Sequence, residues 1–139
     1  MTDAAAPISY RLGNDLPVDS VIEVYRSSTL EGRPLEDRDA MGRMLAAANL
    51  VVSAWAGDVL VGVARSLTDH TFCTYLSDLA VRLEYQRQGI GKQLIRRTQK
   101  AGMPATVFLI AAPSAVSYYE HLGLTAASGW SLGPLRRLT

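Results

Sequence analysis

The run Asp78-Leu79-Ala80-Val81-Arg82-Leu83-Glu84-Tyr85-Gln86-Arg87-Gln88-Gly89-Ile90-Gly91-Lys92 is the part of this 139-residue chain best suited to chemistry. A β-rich stretch runs into a turn with two glycines, and a helical pattern begins at once. Gly89 and Gly91 permit positive φ and leave room for another molecule to approach the backbone. The first amides of a helix have no partner within it and point outward. Together with the helix dipole, Arg87 and Lys92, such amides suit a phosphate or pyrophosphate. Two other phosphate motifs are excluded. A dinucleotide-binding turn needs a third glycine where Leu94 stands. A P-loop needs Ser or Thr after its lysine, and Gln93 follows Lys92. A Gly-x-Gly at a helix start is by itself more often a plain turn, so its context decides.

Other chemistry-bearing residues are less organised. His70 and His121 are the only histidines. His70-x-x-Cys73 has the spacing of a ligand pair, but nothing completes a metal site, and both histidines read as surface residues. Gly129-Trp130-Ser131-Leu132-Gly133 matches the nucleophile elbow of serine hydrolases, yet neither an acid nor a histidine follows it, which marks a chance match. Glu31, Glu36, Asp37 and Asp39 are interspersed with Arg33, Arg38 and Arg43, the pattern of a mixed, solvated surface.

The elements that must position these residues follow from periodicity. Ile8–Leu12 alternates as a half-buried strand. Asp19 or Ser20 is placed to cap a helix running toward Leu30, and a second helix is predicted over Leu35–Ala48. Leu50–Trp55 and Val59–Ala64 form a hairpin around Ala56-Gly57-Asp58. A third strand covers about Phe72–Leu83, and a helix runs from near Gly89 to Gly102. Ala105–Ala111 reads as a central strand buried on both faces. A short helix over Ser114–Leu122 is closed by Gly123, and a weak final strand is predicted near Ala126–Leu132. The order β-α-α-β-β-β-α-β-α-β implies an α/β fold (an α+β mixed sheet) with an antiparallel front half. The unit from Phe72 to Ala111 is a right-handed crossover, so its two strands should be parallel.

Composition bounds the function. Apolar residues make up 48% and charged residues 19%, which excludes global disorder and supplies one core. The net charge of +1 is too balanced to signal a nucleic-acid or membrane partner. The single cysteine excludes an intrachain disulfide and fits a reducing compartment. Met1–Ala6 has no targeting pattern, and the longest apolar stretch, Leu50–Ala64, is broken by Gly57-Asp58 and too short to cross a bilayer. The expectation is a single domain over residues 1–139, soluble and cytoplasmic.

The chain as a whole resembles the GNAT superfamily of N-acetyltransferases, enzymes that use acetyl-CoA. That family's signature is Gln or Arg, two residues, Gly, one residue, then Gly or Ala, and Gln86-Arg87-Gln88-Gly89-Ile90-Gly91 matches every fixed position. Asp78-Leu79-Ala80-Val81 looks like the family's cofactor-binding strand. Tyr118-Tyr119-Glu120-His121-Leu122-Gly123-Leu124 resembles a second family element, departing mildly at Leu124, where an aromatic residue is commoner. The order of elements agrees as well.

The resemblance implies that the strand through Leu79, Ala80 and Val81 splays from the parallel strand through Val107–Ile110. Pantetheine, a chain of amides, would bond the wedge between them like an inserted strand. The pyrophosphate would then fall on Arg87, Gln88, Gly89, Ile90, Gly91 and Lys92. The implied reaction is direct attack of a primary amine on the thioester through a tetrahedral intermediate, with the oxyanion held by an amide near Leu79–Val81. Tyr119 matches the family's acid, which protonates the departing thiolate. Many members place a glutamate on one of the splayed strands. Tyr75 and Ile110 stand at those positions here, so Asp78 is the nearest carboxylate for a base. A water-mediated base, or capture of an already neutral amine, stands beside it. The missing glutamate also keeps open a CoA-binding module without catalysis. The expected partner is a small-molecule or peptide amine, no metal is implied, and pairing of the C-terminal segment with a second copy, a homodimer, stays open.

Overall fold

The computed structural model describes residues 6–139. Backbone contacts divide the chain into two units, one reaching to Leu109 and the other running from Ile110 to Thr139.

The first unit is a five-stranded mixed sheet with helices on both faces. Strands β1 (Ile8–Leu12), β2 (Leu50–Ala56), β3 (Val59–Thr68) and β4 (Cys73–Val81) pair antiparallel in chain order, and β5 (Thr106–Phe108) lies parallel to β4. Helices α1 (Val18–Ser27) and α2 (Arg38–Ala47) precede β2, and α3 (Ile90–Gly102) joins β4 to β5. The mixed α/β class, the antiparallel front half and the parallel pair after the crossover are those the sequence pattern implies.

The strands are apolar on both sides because both sides are covered. β2 reads Leu-Val-Val-Ser-Ala-Trp-Ala and is buried at every position. Val51, Trp55, Val63 and Ala80 pack with Val21, Val24, Tyr25, Met41 and Leu45 of α1 and α2. Val52, Ala54, Val61, Ala64 and Leu76 pack with Ile90 and Leu94 of α3. Full burial of a side chain such as Leu94 contributes about 1.5–3 kcal/mol. Gly62 allows the close approach: a Cβ there would lie 3.1 Å from Leu94 Cδ1 and 3.3 Å from Ile90 Cγ2. The N-terminal turn of α3 is thereby held against β3.

Element ends depart from the sequence pattern for local reasons. α1 begins after Pro17 with no side-chain cap, and Asp19 falls in its first turn, where a negative charge suits the dipole. α2 is shorter than Leu35–Ala48 because Asp37 caps it, accepting from the Ala40 amide at 3.0 Å. The apolar run Ala105–Ala111 gives only the three-residue β5, at the edge of the sheet rather than its centre, with Phe108 44% exposed. The strand expected near Ala126–Leu132 is not formed. That stretch is interrupted by Gly129 and leaves Trp130 exposed, so it has no buried face to fix a register.

In the second unit a 3-10 turn over Pro113–Ala115 leads into α4 (Val116–His121). The Gly123 amide bonds the Glu120 carbonyl at 3.0 Å and the Leu124 amide bonds the Tyr119 carbonyl at 3.1 Å. This is a Schellman ending, and Gly123, at φ +89°, takes the left-handed position it requires. Among the described residues no helix is long and apolar enough to cross a membrane.

Candidate active site

The seam between β4 and β5 is closed over only three rungs, Cys73–Thr106, Thr74–Val107 and Tyr75–Phe108. β4 continues to Val81 with β3 on its other side, through Ala64–Leu79, Val63–Ala80 and Gly62–Val81. Among the described residues, Leu76 to Val81 therefore have no ladder partner on the β5 side. Groups on such an edge bond water or an extended guest. Leu79 and Val81 pack on the α3 side and Ala80 on the α1–α2 side, so these residues offer the edge their backbone and not their side chains.

The open edge runs directly into the glycine turn. The Arg82 amide bonds the Val61 carbonyl at 2.8 Å and its guanidinium bonds the Leu60 carbonyl at 2.8 Å, which pins the turn to β3. A 3-10 turn over Leu83–Tyr85 follows. Gln86 Nε2 then reaches back to the Val81 carbonyl at 2.9 Å. Arg87, at φ +63°, and Gly89, at φ +82°, turn the chain into α3. Gly91 differs from the sequence reading. It lies in the first turn of α3 without a positive φ, so only Gly89 is required by backbone conformation.

Among the described residues, none of the amides of residues 87–92 donates to a protein acceptor. The Gln93 amide is the first to bond within the helix, to the Gly89 carbonyl at 3.1 Å. The result is a cluster of free donors at the positive end of α3, beside the exposed side chains of Arg87 and Lys92. Ile90 contributes its amide only, since its side chain is in the core. An anion with several oxygens fits this donor set, and a chain of amides fits the open edge.

Asp78 lies within that edge, at a β-bulge. Arg65 pairs with Asp78 and Ser66 with Leu76, which leaves Ser77 as the extra residue. Plain alternation would put Asp78 on the same side as Leu76, toward α3. The bulge sends it to the α1–α2 side, where its side chain is fully buried. Oδ2 accepts from Arg65 Nε and, at 2.8 Å, from the Tyr25 hydroxyl; Oδ1 accepts from Arg33 Nε at 2.7 Å. Burial pushes its pKa up, but the bonds and charge of Arg65, the Tyr25 hydroxyl and Arg33 outweigh it and hold the carboxyl below its ordinary range. Burial and the neighbouring carboxylate push the Tyr25 phenol well above its own. A carboxylate so enclosed and so acidic is a structural anchor and a poor acceptor for a substrate proton.

Tyr119 belongs to the second unit, on α4. Its ring meets that of Tyr118 edge to face, with centroids 5.2 Å apart and planes at 68°. Burial raises the Tyr119 pKa, and Tyr118 adds in the same direction, so the phenol keeps its proton throughout the neutral range. Tyr75 is on the last rung of the β4–β5 ladder and 40% exposed, and Ile110 is 66% exposed. His70 lies in a left-handed turn between β3 and β4, and His121 is an exposed residue of α4. Gly129–Gly133 has no strand–turn–helix around it. Of the acidic residues between the first two helices, Glu36 meets Arg26 at 3.2 Å and Asp37 caps α2.

Two open hollows of the first unit lie elsewhere. One of about 240 Å³ is lined by Leu12, Asn49, His70 and Ala101, and one of about 370 Å³ by Tyr10, Arg97 and Lys100. What sets the seam apart is its unpaired strand edge and the free amides that follow it.

Arg65 is absent from the sequence reading, yet it had a signal. It is the one charged residue among the buried positions of β3, and a buried charge needs a partner. Arg33 had none, since its surroundings read as solvated surface.

Comparison with known proteins places this fold in a family. The family model described as "Acetyltransferase (GNAT) domain" matches residues 25–129. The chain belongs to that family. It is 36% identical over 70 residues to GCN5-related N-acetyltransferase 2, chloroplastic, of Arabidopsis thaliana, a match covering 48% of this chain and 27% of that protein. The chain spans less than half the length of the curated relatives it matches, from 27% to 45%. A GNAT family acetyltransferase of Streptococcus pneumoniae TIGR4 superposes with a TM-score of 0.76 at 21% identity, over 94% of this chain and 100% of that one. The aminoglycoside N-acetyltransferase AAC(6')-Iy in complex with CoA superposes with a TM-score of 0.73 at 16% identity, over 99% of this chain and 100% of that one. At those identities the structural likeness concerns the fold.

Proposed function

We propose that this protein is an acetyl-CoA-dependent N-acetyltransferase whose acceptor is a primary amine on a small molecule or peptide. The observation that carries the reading is the continuity of two kinds of free donor: the open edge of β4 leads straight into the unpartnered amides of residues 87–92. The pantetheine arm of acetyl-CoA carries amides and leads into a pyrophosphate, and both parts match. A neighbour of the same fold is in complex with CoA, which supports the assignment. The single cysteine suits a cytoplasmic setting.

Bound acetyl-CoA supplies an activated acetyl thioester. The chain supplies everything else. Leu79, Ala80 and Val81 hold the pantetheine arm by backbone groups, and Arg87, Gln88, Gly89, Ile90, Gly91 and Lys92 hold the pyrophosphate. A free β4 amide offers a donor where negative charge develops on the acetyl oxygen. Tyr119 holds a proton at its phenol oxygen for the departing sulfur. A thiol with a pKa near ~8.5 leaves readily, so the help needed is moderate. Asp78 is not assigned as base, because its oxygens are occupied. A primary amine with a pKa near ~10 is neutral in roughly one molecule in a thousand at pH 7. Attack therefore draws on that neutral fraction or on a water relay.

A second reading, a CoA-binding module without catalysis, is favoured by one feature: Tyr75 and Ile110 occupy the places where the family resemblance implies a carboxylate. Thiol release from acetyl-CoA in the presence of a panel of amines separates the two. Acetyl-CoA should raise Tm, and Gly89→Val with Gly91→Val should abolish the rise. An undiminished rise in that double variant removes the pyrophosphate assignment.

A further inference from the structure

The buried cluster around Asp78 does more than fill the core, because its members come from every element that borders the bulge. Tyr25 is on α1, Arg65 on β3, and Ser77 and Asp78 on β4; Arg33 comes from the loop between α1 and α2. Arg33 is the only member anchored outside regular structure. Its guanidinium uses each nitrogen on a different acceptor: Nε to Asp78 Oδ1 at 2.7 Å, Nη2 to the Ser77 carbonyl at 2.6 Å, and Nη1 to the Glu31 carbonyl at 2.7 Å. One planar fork therefore holds its own loop by Glu31 and the bulge of β4 by two groups. Arg65 grips the same bulge from the other side, with Nη2 on Ser77 Oγ at 3.0 Å and Nη1 on the Met44 carbonyl at 3.2 Å.

Apart from Leu30 and Leu35, which pack against the core, the loop has few ties to other elements. Between Ser28 and Asp37, the Leu30 amide bonds Ser28 Oγ, the Leu35 amide bonds the Arg33 carbonyl, and the Asp37 amide bonds the Pro34 carbonyl, all local. Its one charged side-chain contact with another element, apart from the exposed pair of Glu36 with Arg26, is Arg33 on the bulge. The bulge in turn stands immediately before Leu79, where the open edge begins to serve as a docking strand.

We infer that Arg33 is a positioning residue that couples the α1–α2 loop to occupancy of the β4 seam. The inference rests on the reading of that seam as the acetyl-CoA site. The physical link is short. A guest bonded along Leu79–Val81 replaces the missing ladder partner and stiffens β4 from the bulge onward. Ser77 and Asp78 then lose freedom, and the Arg33 fork, which needs both in register, is strengthened. The loop is ordered as a consequence. By linkage, ordering the loop strengthens binding in the seam by the same factor. Lysine cannot substitute fully, since a single ammonium does not span the two acceptors as a planar fork does.

The test uses CoA itself and hydrogen exchange of the loop amides, a readout independent of turnover. In the wild type, CoA should raise Tm and slow exchange across residues 28–37 by about fivefold or more, the lower range of allosteric coupling. In Arg33→Ala, CoA should still raise Tm but no longer slow exchange in the loop. Arg33→Lys should recover part of the slowing, and Arg26→Ala, which removes only the exposed pair with Glu36, should behave as wild type. Loop protection that survives in Arg33→Ala overturns the inference, as does a wild-type loop indifferent to CoA that demonstrably binds. Failure of CoA to bind the wild type at all overturns the seam assignment itself, and this inference with it.

Discussion

The side-chain amide of Gln86 donates to the carbonyl oxygen of Val81 at 2.9 Å, so the residue that opens the glycine turn also ties off the open strand. The bond fixes the angle at which β4 gives way to the turn. That angle decides whether free amides on the edge and free amides at the start of α3 face one continuous guest. Gln86→Ala should leave the fold intact, because the residue is only partly buried. A neutral hydrogen bond contributes about 1 kcal/mol, so the Kd for acetyl-CoA should rise roughly fivefold. Isothermal titration reads this directly, and an unchanged Kd would show that the turn holds its angle without Gln86.

Gly89 and Gly91 carry the same motif but different physics. Gly89 sits at φ +82° with no atom within 4 Å of the place a Cβ would take. A side chain there meets open space but an unfavourable backbone, which costs about 1–2 kcal/mol. Gly91 is in the helix, where alanine is better than glycine by about 0.5–1 kcal/mol. Gly89→Ala should thus lower both the urea midpoint and acetyl-CoA affinity. Gly91→Ala should hold or raise the midpoint and keep affinity, whereas the bulkier Gly91→Val should weaken affinity. Wild-type affinity in Gly91→Val would mean that the cofactor does not approach the backbone there.

The sequence made the sheet order and the turn legible because both rest on local pattern. Alternation and apolar runs mark β2, β3 and β4, and two glycines at a strand–helix junction mark the turn. Two things were hidden. The face to which Asp78 points depends on a single extra residue, Ser77, and nothing in Tyr75-Leu76-Ser77-Asp78 distinguishes a bulge from plain alternation. The fate of Ala105–Ala111 depends on whether a strand forms beyond it. A continuous apolar run suits a central strand, but with no ladder on its far side only Thr106–Phe108 pairs. Partners distant in the chain, such as Arg33 and Asp78, leave no periodic trace at all.

Asp78 should govern the acid limb of stability. Its folded pKa lies below the ordinary carboxylate value, as burial is outweighed by Arg65, the Tyr25 hydroxyl and Arg33. The stability it confers is therefore complete above the unfolded value of about 3.9 and is lost as pH falls from there through the folded value. Asp78→Asn should remove that part of the acid sensitivity and, by leaving Arg65 and Arg33 without their anion, cost about 3–5 kcal/mol at pH 7. Tyr25→Phe, which deletes one bond to a charged group, should cost about 1.5–3 kcal/mol. Urea unfolding at pH 7 and pH 3 measures each. Equal acid sensitivity in Asp78→Asn and wild type would place the acid limb on other carboxylates.

Tyr119 supplies the sharpest separation of chemistry from binding. Burial, with Tyr118 adding to it, keeps the phenol protonated beyond its ordinary pKa of about 10. Tyr119→Phe should lower kcat roughly ten- to a hundredfold, at or below the lower end for general acids because a thiolate leaves without much help, and should leave the KM for acetyl-CoA unchanged. The wild-type rate should climb from pH 6 to pH 9 as the acceptor amine loses its proton, and the variant should climb in parallel. The ratio of the two rates should stay constant over that range, since Tyr119 does not titrate within it. An unchanged kcat in Tyr119→Phe would remove Tyr119 as the acid, and a ratio that narrows toward pH 9 would show that its phenol titrates inside the window, against the upward push of its burial.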